Sequence, residues 1–273
     1  MERKTASTLA INAAGIAVAL VLFFPVLWIF LTGFKSEADA LAIPPTFFFA
    51  PSFEKYAYAF QEGEFLSFFS NTIILVGASV LLSFAFGLPA AFSLAFFPGK
   101  RANDILFFAL STKFMPGVAV VVPIYILYTK LHLVDTLFGL VLMHVALGIP
   151  IVLWLMRRFF TELPAEIIEA ALVDGASRAH IFWKIALPLS IPGLATTAFL
   201  LIIMAWNEFF FAVNLAGRSA APLTVYMASF FTSEGQTWAQ MSAAATLSVL
   251  PILLLGWIAS RGLVRGLTSG SVQ

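Results

Sequence analysis

The sequence predicts an all-α membrane protein built on six transmembrane helices. Apolar residues make up 61% of the 273-residue chain and charged residues only 11%, a balance outside the soluble globular range. Six apolar runs approach or exceed the length of about 20 residues that a helix needs to cross a bilayer, each bounded by charges or by Pro/Gly punctuation. Lys and Arg concentrate in alternate connections between those runs, the pattern of short loops that stay cytoplasmic. The same composition excludes other functions. A net charge of +1 offers no concentrated basic face for nucleic acid. The absence of cysteine rules out disulfides, thiol catalysis and cysteine-held metals. His132, His144 and His180 are scattered without metal-ligand spacing, so no metal site is expected.

After an amino-terminal segment, residues 1–10, the spans are expected at Ile11 to Gly33, Phe68 to Phe96, Ile105 to Tyr128, Leu137 to Met156, Pro192 to Ala212 and Trp238 to Ser260. Arg3 and Lys4 lead the first run as they would in a signal peptide. That run is too long for a signal and has no small-residue cleavage site directly after it, which predicts an uncleaved first span. The loop from Phe34 to Ser67 carries Pro44-Pro45 and the aromatic run Phe47 to Phe49, and reads as an ordered cap at the membrane surface. Pro25, Pro89, Pro116, Pro123, Pro150 and Pro251 fall inside spans. Each removes a backbone donor, and tolerance by neighbouring helices is preferred to a hinge at any one of them. Arg3, Lys4, Lys100, Arg101, Arg157, Arg158, Arg178, Lys184, Arg261 and Arg265 lie on one side, against Lys35, Lys55, Lys130 and Arg218 on the other. Both termini, including the tail 261–273, and the connection from Phe159 to Ile191 are therefore expected in the cytoplasm.

That connection is a polar island in an apolar chain. Pro164 suits a first helical turn, and Glu166 and Glu169 sit near the positive end of the helix dipole. Ile167, Ile168, Ala171 and Leu172 give the helix one apolar side, and Gly175 supplies a stop. Ser177 can cap a second short helix running through Ile181, Ile185 and Leu187 and ended by Pro188. The expected product is a helix-turn-helix elbow.

The run Glu169-Ala170-Ala171, three residues, Gly175, nine residues, Ile185, one residue, Leu187-Pro188 resembles the EAA motif of the membrane permeases of binding-protein-dependent ABC importers. The resemblance implies a type I importer permease fold in a bacterial inner membrane, with the elbow 159–191 as the coupling helix that docks on an ATP-hydrolysing subunit. Glu169 would be the polar contact, Ala170 and Ala171 the close-packing surface and Gly175 the turn, with Asp174, Leu187 and Pro188 completing the residues that couple to the ATPase. Implied partners are two ATPase subunits holding ATP and Mg, a second permease chain and an extracytoplasmic solute-binding protein, with no cofactor in this chain. Asn71-Thr72, Ser111 to Pro116, Leu133 to Thr136 and Trp206-Asn207-Glu208 resemble the carbohydrate branch of these permeases. Within that branch, Leu110 to Pro116, Ala221 to Val225 and Leu263 to Thr268 are most similar to the mannitol and sorbitol permeases. The tail Thr268 to Gln273 resembles a family tail that can approach the ATPase, against a frayed end as the ordinary expectation.

Lys113 and Glu208 are charges in or near the hydrocarbon, where a charge costs several kcal/mol unless it faces protein or water. Asn207 and Glu208 are candidates to line a cavity and bind sugar hydroxyls, with Trp206 stacking on an apolar sugar face. A structural pair with a neighbouring helix is the alternative for Glu208; snorkelling or an inter-subunit carboxylate is preferred to substrate contact for Lys113. Phe209, Phe210 and Phe211 read as lipid-facing or packing residues rather than a sugar-stacking platform. Gly99-Lys100 lacks the remainder of a phosphate loop, and neither a Gly-x-Ser-x-Gly elbow nor a His-Glu-x-x-His helix occurs. The chain is thus expected to be a transport subunit rather than an enzyme. A carrier driven by an ion gradient is the alternative, although no internal repeat supports it; a membrane enzyme or scaffold lacks any catalytic constellation.

Overall fold

The computed structural model describes residues 2–61, 64–232 and 235–268. Four stretches are long and apolar enough to cross a membrane as single rods: Ile11–Thr32 within α1 (Glu2–Thr32), α4 (Phe65–Phe96), α7 (Leu137–Thr161) and Trp238–Ile258 within α14 (Trp238–Thr268). Two more spans are broken. The helix α5 (Ala102–Ser111) and the 3₁₀ turn Thr112–Phe114 meet α6 (Gly117–Lys130) at 97°. Likewise α9 (Arg178–Ile181), a π turn at Phe182–Ala186 and α10 (Leu187–Leu189) meet α11 (Ile191–Trp206) at 78°. Counting each bent pair once gives six spans. Shorter elements are α2 (Glu37–Ala40), α3 (Glu54–Gln61), α8 (Ala165–Val173), α12 (Phe210–Leu215), α13 (Leu223–Ser229) and a two-residue ladder of β1 (Phe231–Thr232) with β2 (Gly235–Gln236).

Two expected spans are corrected. The third is not one helix from Ile105 to Tyr128, because Met115 and Pro116 are both extended, with ψ of 124° and 127°. A residue before proline is driven out of the helical region, and here nothing restores it. The other prolines named above, at 25, 89, 123, 150 and 251, remain inside helices. The fifth span ends at Trp206 rather than Ala212, and the chain restarts as α12. Pro188 does not end its helix either. Leu187 donates its N–H five residues back to Phe182, and this widened turn accommodates a residue that has no N–H to give. The helix ends two residues later, at Ser190.

The chain forms two compact units: residues 1–66 with 227–250, and residues 67–226 with 251–273. In the first, none of the apolar window of α1 is buried, as befits a helix solvated by lipid. The Lys35 ammonium donates to the Thr46 carbonyl at 2.7 Å and lies 3.9 Å from the centre of the Trp28 ring. Burial lowers the pKa of this lysine, with Asp39 opposing that effect. The Glu37 carboxylate accepts the N–H groups of Ala239 and Gln240, both at 3.0 Å, and so caps α14.

The second unit holds two apolar clusters. One packs Leu88 and Phe92 of α4 against Val152, Met156 and Phe160 of α7, Ile168 of α8, and Ile181, Phe182 and Ala186 beyond it. The other gathers Leu75, Tyr128, Leu140, Val141, Phe211, Leu215 and Ala220. α4 and α7 approach closely because Gly148 lies against Ser83, where a Cβ would come within 2.5 Å of the hydroxyl oxygen. Asp135 fastens one edge of this unit. Its carboxylate accepts from Gly217 at 2.8 Å, Ala220 at 2.9 Å and Ser219 at 3.3 Å. Burial would raise its pKa, and the three backbone donors outweigh that effect and hold it below the ordinary value. Beside it, Asn71 donates to the carbonyls of Ser219 and Ala221, and the Thr72 hydroxyl accepts from Leu223 at 2.8 Å. Three separate stretches, Asn71-Thr72, Leu133 to Thr136 and Ala221 to Val225, thus meet in one hydrogen-bonded staple.

Candidate functional site

The elbow between α7 and α11 presents a polar outer face on an apolar base. Helix α8 begins after Pro164 and ends at Asp174, and Gly175 then takes a φ of 81°, a left-handed turn that glycine adopts without steric cost. The Ser177 hydroxyl accepts from His180 at 3.2 Å and caps α9. Glu169, Ala170 and Asp174 are exposed. Ile168 (3% exposed) and Ile181 (0%) anchor the elbow in the core with Phe182, whose ring lies 5.3 Å from that of Phe92. Ala171 belongs to that internal base, 9% exposed, so its small side chain lets α8 approach the bundle rather than another subunit. Ile167 and Leu172, expected on the apolar side, face outward at 40% and 42% exposure. Leu187 is partly buried against the same core, and Pro188 is exposed. Arg178 sits with its guanidinium 4.3 Å from the centre of the Phe97 ring, and Arg157 donates to the Leu94 carbonyl.

Deeper in the second unit, a cavity of about 180 Å³ is lined by residues of α4 (Ser79, Ser83), the bend before α6 (Lys113), α7 (His144, Gly148) and the break after α11 (Glu208), with apolar walls that include Ile151 and Leu201. The bend at Pro116 ends α5 in the turn that carries Lys113, whose ammonium donates to the Leu147 carbonyl at 3.1 Å. The end of α11 at Trp206 frees Glu208 to turn back. Its two carboxylate oxygens accept from Phe211 at 2.8 Å and Ala212 at 3.0 Å, and its own carbonyl accepts from Thr224 at 2.9 Å. Glu208 thus borders the cavity and holds the first turn of α12. Lys113 is likewise bonded within its own chain. Among the described residues no salt bridge joins the two.

Trp206 and Asn207 stand apart from the cavity. The indole is buried and meets Phe69 edge-on at 6.4 Å, and the Asn207 amide folds back to the Ile203 carbonyl at 2.8 Å. Phe211 is buried in the second apolar cluster, as expected of a packing residue. Sequence reasoning missed His144, Ser79 and Ser83. His144 was open to the same argument that marked Lys113 and Glu208, an ionisable side chain in the middle of a span.

A bundle of straight and broken spans with an exterior elbow is the fold of a type I ABC importer permease. A bacterial ABC transporter involved in the import of the acidic polysaccharide alginate has a chain that superposes with a TM-score of 0.78 over 95% of this chain and 97% of that one, at 24% identity. The chain belongs to the family of binding-protein-dependent transport system inner membrane components, whose profile matches residues 86–269. It is 38% identical to the "Probable ABC transporter permease protein y4oR" of Sinorhizobium fredii over 94% of this chain and 92% of that one. It is also 31% identical to the diacetylchitobiose uptake system permease protein DasC of Streptomyces coelicolor over 100% of both. The protein is accordingly a multi-span permease subunit of an ABC importer in the inner membrane.

Proposed function

We propose that the chain forms half of a carbohydrate pathway and is driven through its elbow by a separate ATPase. The supporting observation is the construction of that elbow. Glu169 and Asp174 are exposed on a helix whose opposite face is locked into the bundle by Ile168, Ile181 and Phe182, so a force applied outside is carried to α7 and α11. Glu169, Ala170, Asp174 and Gly175 form the docking surface in this reading, while Ala171 and Leu187 serve its base. Both termini and the elbow face the cytoplasm. ATP and Mg are held by a dimer of ATPase subunits, a second permease chain completes the pathway, and an extracytoplasmic binding protein delivers solute. ATP binding closes the ATPase dimer, draws the elbows together and opens the cavity outward; hydrolysis resets it.

A carbohydrate cargo is supported by the diacetylchitobiose uptake permease among the similar proteins. The narrower polyol reading rests on Leu110 to Pro116, Ala221 to Val225 and Leu263 to Thr268. Several of those residues have structural duties here, since the carbonyl of Ala221 and the N–H of Leu223 belong to the staple with Asn71 and Thr72. The test is uptake by proteoliposomes containing the full complex and its binding protein, with ion gradients collapsed. Accumulation of diacetylchitobiose, mannitol or sorbitol that requires ATP is expected. Uptake that disappears with the gradient while ATP is present would instead identify a secondary carrier. Preference for mannitol over diacetylchitobiose would select the polyol form of the proposal.

A further inference from the structure

Resting on the reading of the chain as a carbohydrate permease, we infer that the cavity between Lys113, His144 and Glu208 is a binding subsite for one neutral, polyhydroxylated unit, a single sugar ring or a linear hexitol, with His144 as its central acceptor. The argument starts from the imidazole. His144 is 4% exposed, and its Nδ1 lies 2.8 Å from the Leu140 carbonyl. A carbonyl only accepts, so Nδ1 carries the proton, and in the neutral ring Nε2 is left as an acceptor. That nitrogen is buried without a partner, and His144 is one of the residues that line the cavity. Its neighbour, the Glu208 carboxylate at 3.8 Å, is itself an acceptor and cannot satisfy it. Leaving a buried acceptor unmade is costly, so the site is built for a donor that the chain does not supply.

The rest of the lining describes that donor. Each Glu208 oxygen already accepts one backbone N–H and keeps a further lone pair. Lys113 spends one of its three N–H donors on Leu147 and keeps two. Vicinal hydroxyls answer both demands. One O–H donates to His144 Nε2, its neighbour donates to Glu208, and their oxygens accept from Lys113. An anion would meet Glu208 and a cation would meet Lys113, whereas a neutral ligand meets neither penalty. Two serines, Ser79 and Ser83, add hydroxyls, and Ile151 and Leu201 offer apolar wall to the C–H face of a sugar. The cavity measures about 180 Å³, below the usual span of drug-sized pockets, which suits one such unit, a linear hexitol or one ring of a larger sugar.

The absence of cysteine from the chain makes a direct test possible. In the full complex, Ser83→Cys places one near-isosteric thiol in the cavity, and its labelling by a small water-soluble thiosulfonate is followed by mass spectrometry of this chain. Diacetylchitobiose, mannitol and sorbitol are the probes, with sodium gluconate as the acidic counterpart. At least one neutral probe is expected to slow labelling fivefold or more during ATP-driven cycling, gluconate is expected not to, and adding His144→Leu is expected to remove the protection while His144→Gln, which keeps an acceptor, retains part of it. Labelling unaffected by every neutral probe overturns the inference, as does a thiol that is never labelled or protection that persists in His144→Leu. If the Leu variant does not assemble, the Ser83→Cys protection pattern alone decides, with equal protection by gluconate counting against the proposal. Failure of ATP-driven uptake would overturn the reading of the whole protein by a separate measurement.

Discussion

The elbow and the cavity lie in the same unit and are built inside out relative to one another. At the elbow, Glu169 and Asp174 face outward while Ile168, Ile181 and Phe182 are buried, the order of a soluble protein in water. Around the cavity, Lys113, His144 and Glu208 turn inward while side chains such as Phe107 and Val118 remain outside at 77% and 73% exposure, the order of a bundle in lipid. The difference separates two duties. In the function proposed above, one region exposes charge for a soluble motor to grip, and the other encloses charge where a hydroxylated solute exchanges bulk water for fixed partners.

Mutations of the packing and of the loops test how firmly these regions are joined. The largest effect on folding is expected from Phe182→Ala, which deletes a ring packed against Phe92 at the base of the elbow. A loss of about 3–5 kcal/mol is expected in denaturant unfolding of the detergent-solubilised complex, whereas Val173→Ala, at 88% exposure, should change little. Equal effects of the two would mean that the elbow is not anchored as described. A smaller loss, about 1–2 kcal/mol at neutral pH, is expected for Asp135→Ala, because three backbone donors lose their acceptor in a site that partly meets water. Since the folded carboxyl titrates below its ordinary range, this contribution is complete above the unfolded value of about 3.9 and is lost as pH falls through the lower folded one. The gap between wild type and variant in thermal melts should therefore stay constant from pH 7 to about pH 5 and close only in stronger acid; a gap that closes near neutrality would assign the staple to another group.

What could be read from the sequence follows the range of the interaction responsible. The Gly175 turn, the Ser177 cap and the four straight spans depend on neighbours within a few residues, and each was legible. The bend at Pro116 was not, because Pro25, Pro89 and Pro150 look alike locally and stay helical. Pro188 misled for a similar reason, since one widened turn absorbs its missing donor. In the cavity, Glu208 and Lys113 stood out as membrane charges, while Trp206 and Asn207 were grouped with Glu208 only by adjacency. A helix end sends consecutive side chains apart, into Phe69 and back to Ile203 respectively. His144 and the two serines come from other helices, and only the packing of α4 on α7, with Gly148 beside Ser83, brings them together. The carboxyl-terminal residues 269–273 lie outside the described residues, as do the side chains of Leu263 to Thr268.

Coupling through the elbow is the central claim, and it is tested most directly by measuring ATP hydrolysis and solute uptake together in proteoliposomes carrying Glu169→Lys or Gly175→Pro. Charge reversal alters an exposed contact, and proline cannot adopt the φ of 81° at position 175. Each variant is expected to insert in the membrane yet to lose ATP-driven uptake by at least tenfold. Uptake at the wild-type rate in both variants would contradict the account.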